Sequence, residues 1–339
     1  MPVRTDRAFA DGPLPWSLAW HVAAHGGTGF WTTGPGTDGP AAHFRTAAHA
    51  GTALGRALSV LVRDVDTRLG HPDRLDVVDL GAGHGELLTA LLRHVDDDLR
   101  PRLRPVAIDV RPRPAGLDER IAWITGSVPE AVPNVVHGLL LAHELLDEIP
   151  LDVVEVDDDG CVRLVLVDAD GSETLGPLLE DVDDLAWLAA WWPVDEPGTR
   201  AEIGRTRDDV WAACVARLAR GTAVSVDYGH TRDERDAGRY DLGTLTAYRD
   251  GRQVAPVPDG TANLTAHVAA DSVARASGGA LRTQRESLHA LGFSAALPES
   301  SLAAHDPSAY ADALQAASDA AELLDPSGLG AFAWVRVDR

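Results

Sequence analysis

The stretch "LLLAHELLDEIP" (139–150) runs a wholly apolar segment into three carboxylates, Glu144, Asp147 and Glu148, and closes on Pro150. Carboxylates at the end of a buried strand can hold a cation, orient a nucleophile or move a proton. Glu144 could instead cap the next turn, and Glu148 reads as solvated surface. We read Glu144 and Asp147 as the catalytic candidates. A second chemical stretch is "DLGAGHGE", with Asp79, Gly81, Ala82, Gly83 and Gly85. Such glycines let a backbone turn sharply and let a ligand touch the main chain. The dinucleotide spacing G-x-G-x-x-G would need Gly at position 86, where Glu86 stands, and a carboxylate facing a pyrophosphate is unfavourable. Asp79 suits a cationic ligand. Asp109, about two dozen residues past the turn, ends a strand where an acid can accept both hydroxyls of a ribose. Ser127 is a candidate for the edge of an adenine ring, with an ordinary loop hydroxyl as the alternative. His49, His143 and His267 are acid/base candidates set against the commoner role of hydrogen-bonded histidine. Asp227 and Tyr228 close the apolar run "GTAVSVDYG".

These residues need elements to place them. "LDVVDL" before the glycines, "RPVAIDV" (104–110), "IAWITGS" (121–127) and "VVHGLLLA" (135–142) read as strands. Helical periodicity between them predicts an α/β fold with a parallel sheet, Rossmann-like, with helices on both faces. Leu54, Leu58, Leu61, Val62, Val65 and Leu69 recur at helical spacing within 46–69. "VEVDDDGCVRLVLV" predicts an inserted β-hairpin. The Trp-rich acidic run 180–198 predicts a surface helix and loop, whose Trp187, Trp191 and Trp192 form either core or a self-association face. Further helices are expected at 206–219, 266–277, 284–291 and 307–324, and a closing strand in "GAFAWVRV". Residues 12–45 and 231–262 read as loop-rich. The resulting organisation is an N-terminal lid and helix (1–70), the first half of the core (71–150), the hairpin and helix insertion (151–200), a core continuation (201–230), a second insertion on the substrate side (231–280) and core C-terminal helices with the closing strand (281–339).

With 339 residues, 45% of them hydrophobic, the chain can build a full core. Its formal net charge of -22 repels nucleic acid and anionic membranes and attracts cationic partners. All 30 basic residues are Arg, a bias we attribute to a GC-rich genome. Cys161 and Cys214 match no metal spacing and read as buried structural thiols, and no metal is expected. The N-terminal residues lack the apolar core of a signal peptide and no run is long enough to span a membrane, so a cytoplasmic protein is expected.

The acid followed by G-x-G-x-G resembles motif I of class I S-adenosylmethionine (SAM) methyltransferases, whose cofactor carries a sulfonium and an α-amino group. "HFRTAAHAGTALGRAL", "VVDLGAGHGELL", "AHELLDEIPLDVVEV", "GTAVSVDYGH", "GTLTAYRDGRQV" and "NLTAHV" occur in that order. Together they resemble the MidA-like methyltransferases, which include a mitochondrial respiratory complex I assembly factor, and the resemblance spans about Gly29 to Phe293. It implies a class I methyltransferase sheet and SAM as cofactor, with S-adenosyl-L-homocysteine as product. The cofactor side then comprises Asp79, Gly81, Ala82, Gly83, Gly85, Asp109 and His143, with Ser127 added from its place after the third strand. Thr46, His49, Asp227, Tyr228 and His267 fall on the substrate side. The family's better-studied member methylates protein arginine, which makes Glu144 and Asp147 the acids of the strand-end motif and a protein the expected partner. Departures stand at His49, where the family has Glu, at His143, where it has Asn, and at Ala269, where it has Asp. A small-molecule methyltransferase and a non-catalytic SAM-binding assembly factor stay open as alternatives, as does a homodimer. The N-terminal 45 residues are expected to close over the cofactor as a lid, with Phe44 to Thr46 near the substrate mouth.

Overall fold

The computed structural model describes residues 8–34 and 51–339. Thr46, His49 and the Phe44–Thr46 end of the expected lid lie outside the described residues.

One compact unit comprises residues 51–143, 214–226 and 279–339. Its sheet contains β1 (Leu75–Leu80), β2 (Leu103–Asp109), β3 (Ala122–Thr125), β4 (Val136–His143), β5 (Leu218–Asp227), β6 (Ala280–Thr283) and β7 (Ala333–Asp338), ordered β6-β7-β5-β4-β1-β2-β3. β1, β2, β3, β4 and β5 pair in parallel, and β6 and β7 pair antiparallel. All six residues of β1 are buried, as expected of a central parallel strand covered on both faces. Helices flank the sheet, among them α1 (Gly51–Arg68) and α2 (Glu86–His94). The stripe Leu54, Leu58, Leu61, Val62 and Val65 of α1 shares one apolar core with Leu88 and Leu91 of α2 and with Val77 and Leu139 of the sheet. Each such side chain contributes about 1.5–3 kcal/mol on burial. From β1 the chain winds outward through β2 and β3, then returns to lay β4 and β5 on the other side. The order therefore reverses between β1 and β4, the place where open α/β sheets bind ligands at their carboxyl ends. The glycine turn leaves β1 at this point, and His143 ends β4.

The second unit comprises residues 8–34, 144–213 and 227–278. The expected hairpin is present as Val153–Val156 and Val162–Val167, antiparallel, and Arg200–Glu202, Leu14–Pro15 and Glu173–Leu178 extend its sheet. Within 231–262, read as loop-rich, Thr246–Arg249 and Arg252–Val254 are strands of a three-stranded sheet whose third strand, Asn263–Thr265, follows directly. Within 12–45, read as loop, Trp16–His25 is a helix. Trp16, Ala19, Trp20, Val22, Ala23 and Ala24 are buried, while the exposed side carries Leu18 beside His21, so an apolar residue on the solvent face blurs the helical period. Trp187 and Trp192 are buried beside Leu188 and Ile203, which assigns them to the core. Cys214 is buried as expected, but Cys161 is exposed, because it follows the hairpin turn 157–160 rather than sitting within a strand.

Candidate active site

The candidate residues of the first unit lie at or near the carboxyl ends of adjacent parallel strands. Gly81, Gly83 and Gly85 all adopt left-handed backbone, with φ of 68°, 63° and 82°, a conformation that side chains with a Cβ resist. A Cβ on Gly85 would also lie 2.7 Å from Leu117 Cδ1. The turn is closed by Gly85 N–H on Ala82 O (2.7 Å) and anchored to β2 by Ala82 N–H on Ile108 O (3.0 Å). Glu86, which stands where a dinucleotide site would have glycine, opens α2 and accepts the His84 N–H at 2.7 Å. It thereby spends its charge at the positive end of the helix.

Asp79 is 1% exposed. Burial raises its carboxyl well above the ordinary range, and the charges of Glu86 and Asp109 push it the same way. Its Oδ2 is buried and meets no partner among the described residues. Such an orphaned carboxyl is the complement of a cation. Asp109, 6% exposed, ends β2 and accepts the Gly83 N–H at 2.9 Å. It is also held by the neighbouring Arg111. Ser127 is exposed just past β3, and its carbonyl accepts the Ala131 N–H. Burial of the His143 ring pushes its pKa down to about 4, so the imidazole is neutral at physiological pH.

In the second unit the acidic stretch is a single 3-10 turn, Leu146–Glu148, entered through Glu144. Glu144 has φ of 51°, in the left-handed region that a non-glycine residue seldom enters. The residues around it hold the turn from several sides. Asp227 Oδ2 accepts the N–H of Leu146 (2.9 Å) and of Asp147 (3.4 Å). Asp147 is 3% exposed, and its Oδ2 accepts from the hydroxyls of Tyr228 and Thr265, the latter at 2.7 Å. Arg207, 1% exposed, donates to the carbonyls of Asp147 (2.7 Å), Ile149 (3.0 Å), Ala266 (2.9 Å) and His267 (3.0 Å). Glu148 accepts from Asn263 Nδ2 at 2.7 Å, so it is tied into the fold rather than solvated. Burial raises the Asp227 carboxyl well above its ordinary range, with the charges of Asp147 and Glu144 adding to the effect. The same burial lowers His267, whose ring centroid lies 5.3 Å from that of Tyr228. Among the described residues, Asp147 Oδ1, Asp227 Oδ1 and His267 Nδ1 are buried without a hydrogen-bond partner.

The sequence reading put Glu144 and Asp147 in the first half of the core, Asp227 and Tyr228 in its continuation and His267 in the second insertion, and the structure gathers all five around one turn. It missed Arg207, Arg111 and Thr265. Thr265 had a signal, since it lies in "NLTAHV", but Arg207 belongs to no stretch that stood out. Among the described residues, no group of three or more His, Cys, Asp or Glu side chains is placed to hold a metal ion, and no helix is long and apolar enough to cross a membrane.

A sheet with its switch point between β1 and β4, a left-handed glycine turn and acids at two successive strand ends define a Rossmann-like fold of the methyltransferase class. Residues 54–287 match the family described as "Putative S-adenosyl-L-methionine-dependent methyltransferase". The match takes in more than half of the chain, and the chain belongs to this family, in agreement with the MidA-like resemblance. It is a SAM-dependent methyltransferase. The fold is similar to that of a Burkholderia thailandensis protein crystallised with S-adenosyl-homocysteine, at 24% identity and a TM-score of 0.78, covering 99% of this chain and 90% of that one. A native crystal structure of an uncharacterized Burkholderia thailandensis protein matches at 24% identity and a TM-score of 0.76 over the same shares. No curated protein sequence matches the chain.

Proposed function

We propose that the protein methylates an arginine side chain of a protein substrate, with Glu144 as the carboxylate that orients the guanidinium. The observation that carries this reading is the backbone of Glu144, held at φ 51° at the mouth of a turn whose neighbours are fixed by Asp227, Arg207, Tyr228 and Thr265. Unfavourable backbone of this kind costs of order 1–3 kcal/mol and persists where the surroundings over-determine it, which is typical of functional sites. The charge pattern adds support. Glu144 and Asp147 both act on Asp227 as repelling charges, and a cationic acceptor relieves that repulsion.

Bound SAM supplies a methyl group activated by its sulfonium. On this reading Asp79 faces the cofactor's positive charge, and Asp109 takes the ribose hydroxyls. Gly81, Ala82, Gly83 and Gly85 let the backbone approach, while Ser127 and the neutral His143 line the remainder. The chain's own contribution to the chemistry is positioning. A guanidinium with its charge delocalised is a weak nucleophile, and a hydrogen-bonded carboxylate aims one nitrogen while localising charge on the others. Asp147 and Asp227 act with Glu144 by fixing its turn. Proton loss to solvent follows transfer, so no strong base is required, consistent with the lowered His143 and His267.

Incubating the protein with methyl-labelled SAM and cell lysate, then hydrolysing labelled bands, tests the proposal. Label recovered as methylarginine supports it. Label confined to an extractable small molecule would replace it with small-molecule methylation, and no transfer at all would point to a non-catalytic SAM-binding assembly factor.

A further inference from the structure

The carboxylate of Asp109 is already saturated. Arg111 Nε reaches Oδ1 and Arg111 Nη2 reaches Oδ2, each at 2.9 Å. Arg111 N–H reaches Oδ1 and Gly83 N–H reaches Oδ2, again each at 2.9 Å. A carboxylate offers about four lone-pair sites, and four donors fill them. The two backbone donors belong to the turn and the strand end and cannot leave without unfolding them. The two guanidinium donors form a fork, two parallel N–H groups on two oxygens. A vicinal ribose diol would present its two O–H groups to the same pair of oxygens in the same way.

We propose that Arg111 occupies the ribose-diol place on Asp109 as an internal surrogate, and that its side chain turns out when the cofactor nucleoside binds. This rests on the reading of Asp109 as the ribose acceptor. The main chain at Arg111 is fixed, because its carbonyl accepts from Trp123 Nε1 (3.1 Å) and Thr125 Oγ1 (3.3 Å). The exchange is therefore a side-chain rotation on a rigid strand end. Solvent is close by: Arg111 itself is 9% exposed, and Val110 beside it is 38% exposed. The surrogate also has a use. Without ligand, a bare Asp109 would be a buried and uncompensated carboxylate, and its charge already reaches the Asp79 carboxyl. Arg111 neutralises that charge until the nucleoside arrives. Cofactor affinity is then reduced by the fraction of molecules in which Arg111 has left, so Arg111 sets the working affinity of the site.

The test is calorimetric titration of S-adenosyl-homocysteine into the full chain, its Arg111→Ala variant and the Arg111→Ala/Asp109→Ala double variant, with thermal melting of each without and with ligand. The expected result is that Arg111→Ala binds about 10-fold tighter than the parent, as removal of a tenfold conformational penalty would give. Its ligand-free melting temperature should fall, because Asp109 loses its counterion, while its ligand-induced shift grows. An Arg111 that merely orients Asp109 would make the variant bind equally or more weakly, and that result overturns the proposal. The double variant separates the two layers. If it binds at least about 10-fold more weakly than Arg111→Ala, Asp109 does hold the ligand, and only the surrogate role stands or falls on the first comparison. If it binds as Arg111→Ala does, the ribose reading fails and the surrogate role fails with it.

Discussion

Replacing Tyr228 with Phe removes one of the two hydroxyls that reach Asp147 Oδ2 and leaves Thr265 Oγ1 on the same oxygen at 2.7 Å. A hydrogen bond to a charged group is worth roughly 1.5–3 kcal/mol, and with Thr265 still in place the loss should sit near the lower figure. Thr265→Val should cost about as much, since Tyr228 then remains the donor. The double variant is where the arrangement declares itself. Asp147 is only 3% exposed, so with both hydroxyls gone Oδ2 is stripped of donors in a buried position. The penalty should then exceed the sum of the single losses by about 1 kcal/mol or more, as expected of residues sharing one partner. Because Asp147 is in the turn that begins at Glu144, turnover should fall with stability in the double variant. SAM affinity should stay near the parent value. Denaturant unfolding gives the cycle, calorimetry the affinity and labelled-methyl transfer the turnover. Additive losses under about 0.5 kcal/mol each, with turnover unchanged, would refute the view that this hydroxyl pair fixes the acidic turn.

Asp79→Asn should weaken SAM binding while raising the stability of the ligand-free protein near neutral pH, because a buried carboxyl held above its ordinary range destabilises the fold once pH rises past the unfolded value. In the parent, SAM binding should release a proton, seen as a binding enthalpy that varies with the ionisation enthalpy of the buffer. His143, lowered to about 4, stays neutral in the fold while the unfolded chain protonates near 6.5. It therefore contributes a stability that is full above pH 6.5 and falls toward pH 4, by up to about 1.4 kcal/mol per pH unit; His143→Asn should flatten that limb of a melting-temperature profile. Arg207→Lys offers a point charge in place of a fork that serves four carbonyls. It should cost several-fold in turnover at unchanged SAM affinity, checked on the same labelled-transfer assay.

The glycine turn and the acids around it were legible because they sit at strand ends that the sequence marks twice, once by an apolar run and once by the polar residue that stops it. Asp79 and Asp109 are such residues, and the three glycines between them announce a turn that must take left-handed backbone. The acidic turn was legible for the same reason, but its support was not. Arg207 satisfies backbone carbonyls of two separate stretches, so nothing about its neighbours in sequence reveals it. Arg111 would pass for a solvated residue after a strand, since only the fold brings its fork onto Asp109. Glu148 was misjudged because its partner, Asn263, is 115 residues away. The helix Trp16–His25 was hidden because its exposed side carries Leu18 and so breaks the apolar–polar period, and the two- and three-residue strands of the second unit are too short to show a period of two.

The central claim is that Glu144 orients a cationic acceptor for methyl transfer from SAM. Glu144→Gln keeps the size and hydrogen-bonding capacity of the side chain and removes its charge, so the variant tests that claim alone. Methyl transfer into protein, measured beside SAM affinity and melting temperature on the same sample, should fall by about 10²-fold or more, the usual consequence of losing a preorganised electrostatic group. SAM affinity should be nearly unchanged, because the glycine turn, Asp79 and Asp109 all lie elsewhere in the sequence. A Glu144→Gln protein that melts like the parent, binds SAM like the parent and transfers methyl groups at the parent rate would contradict the account.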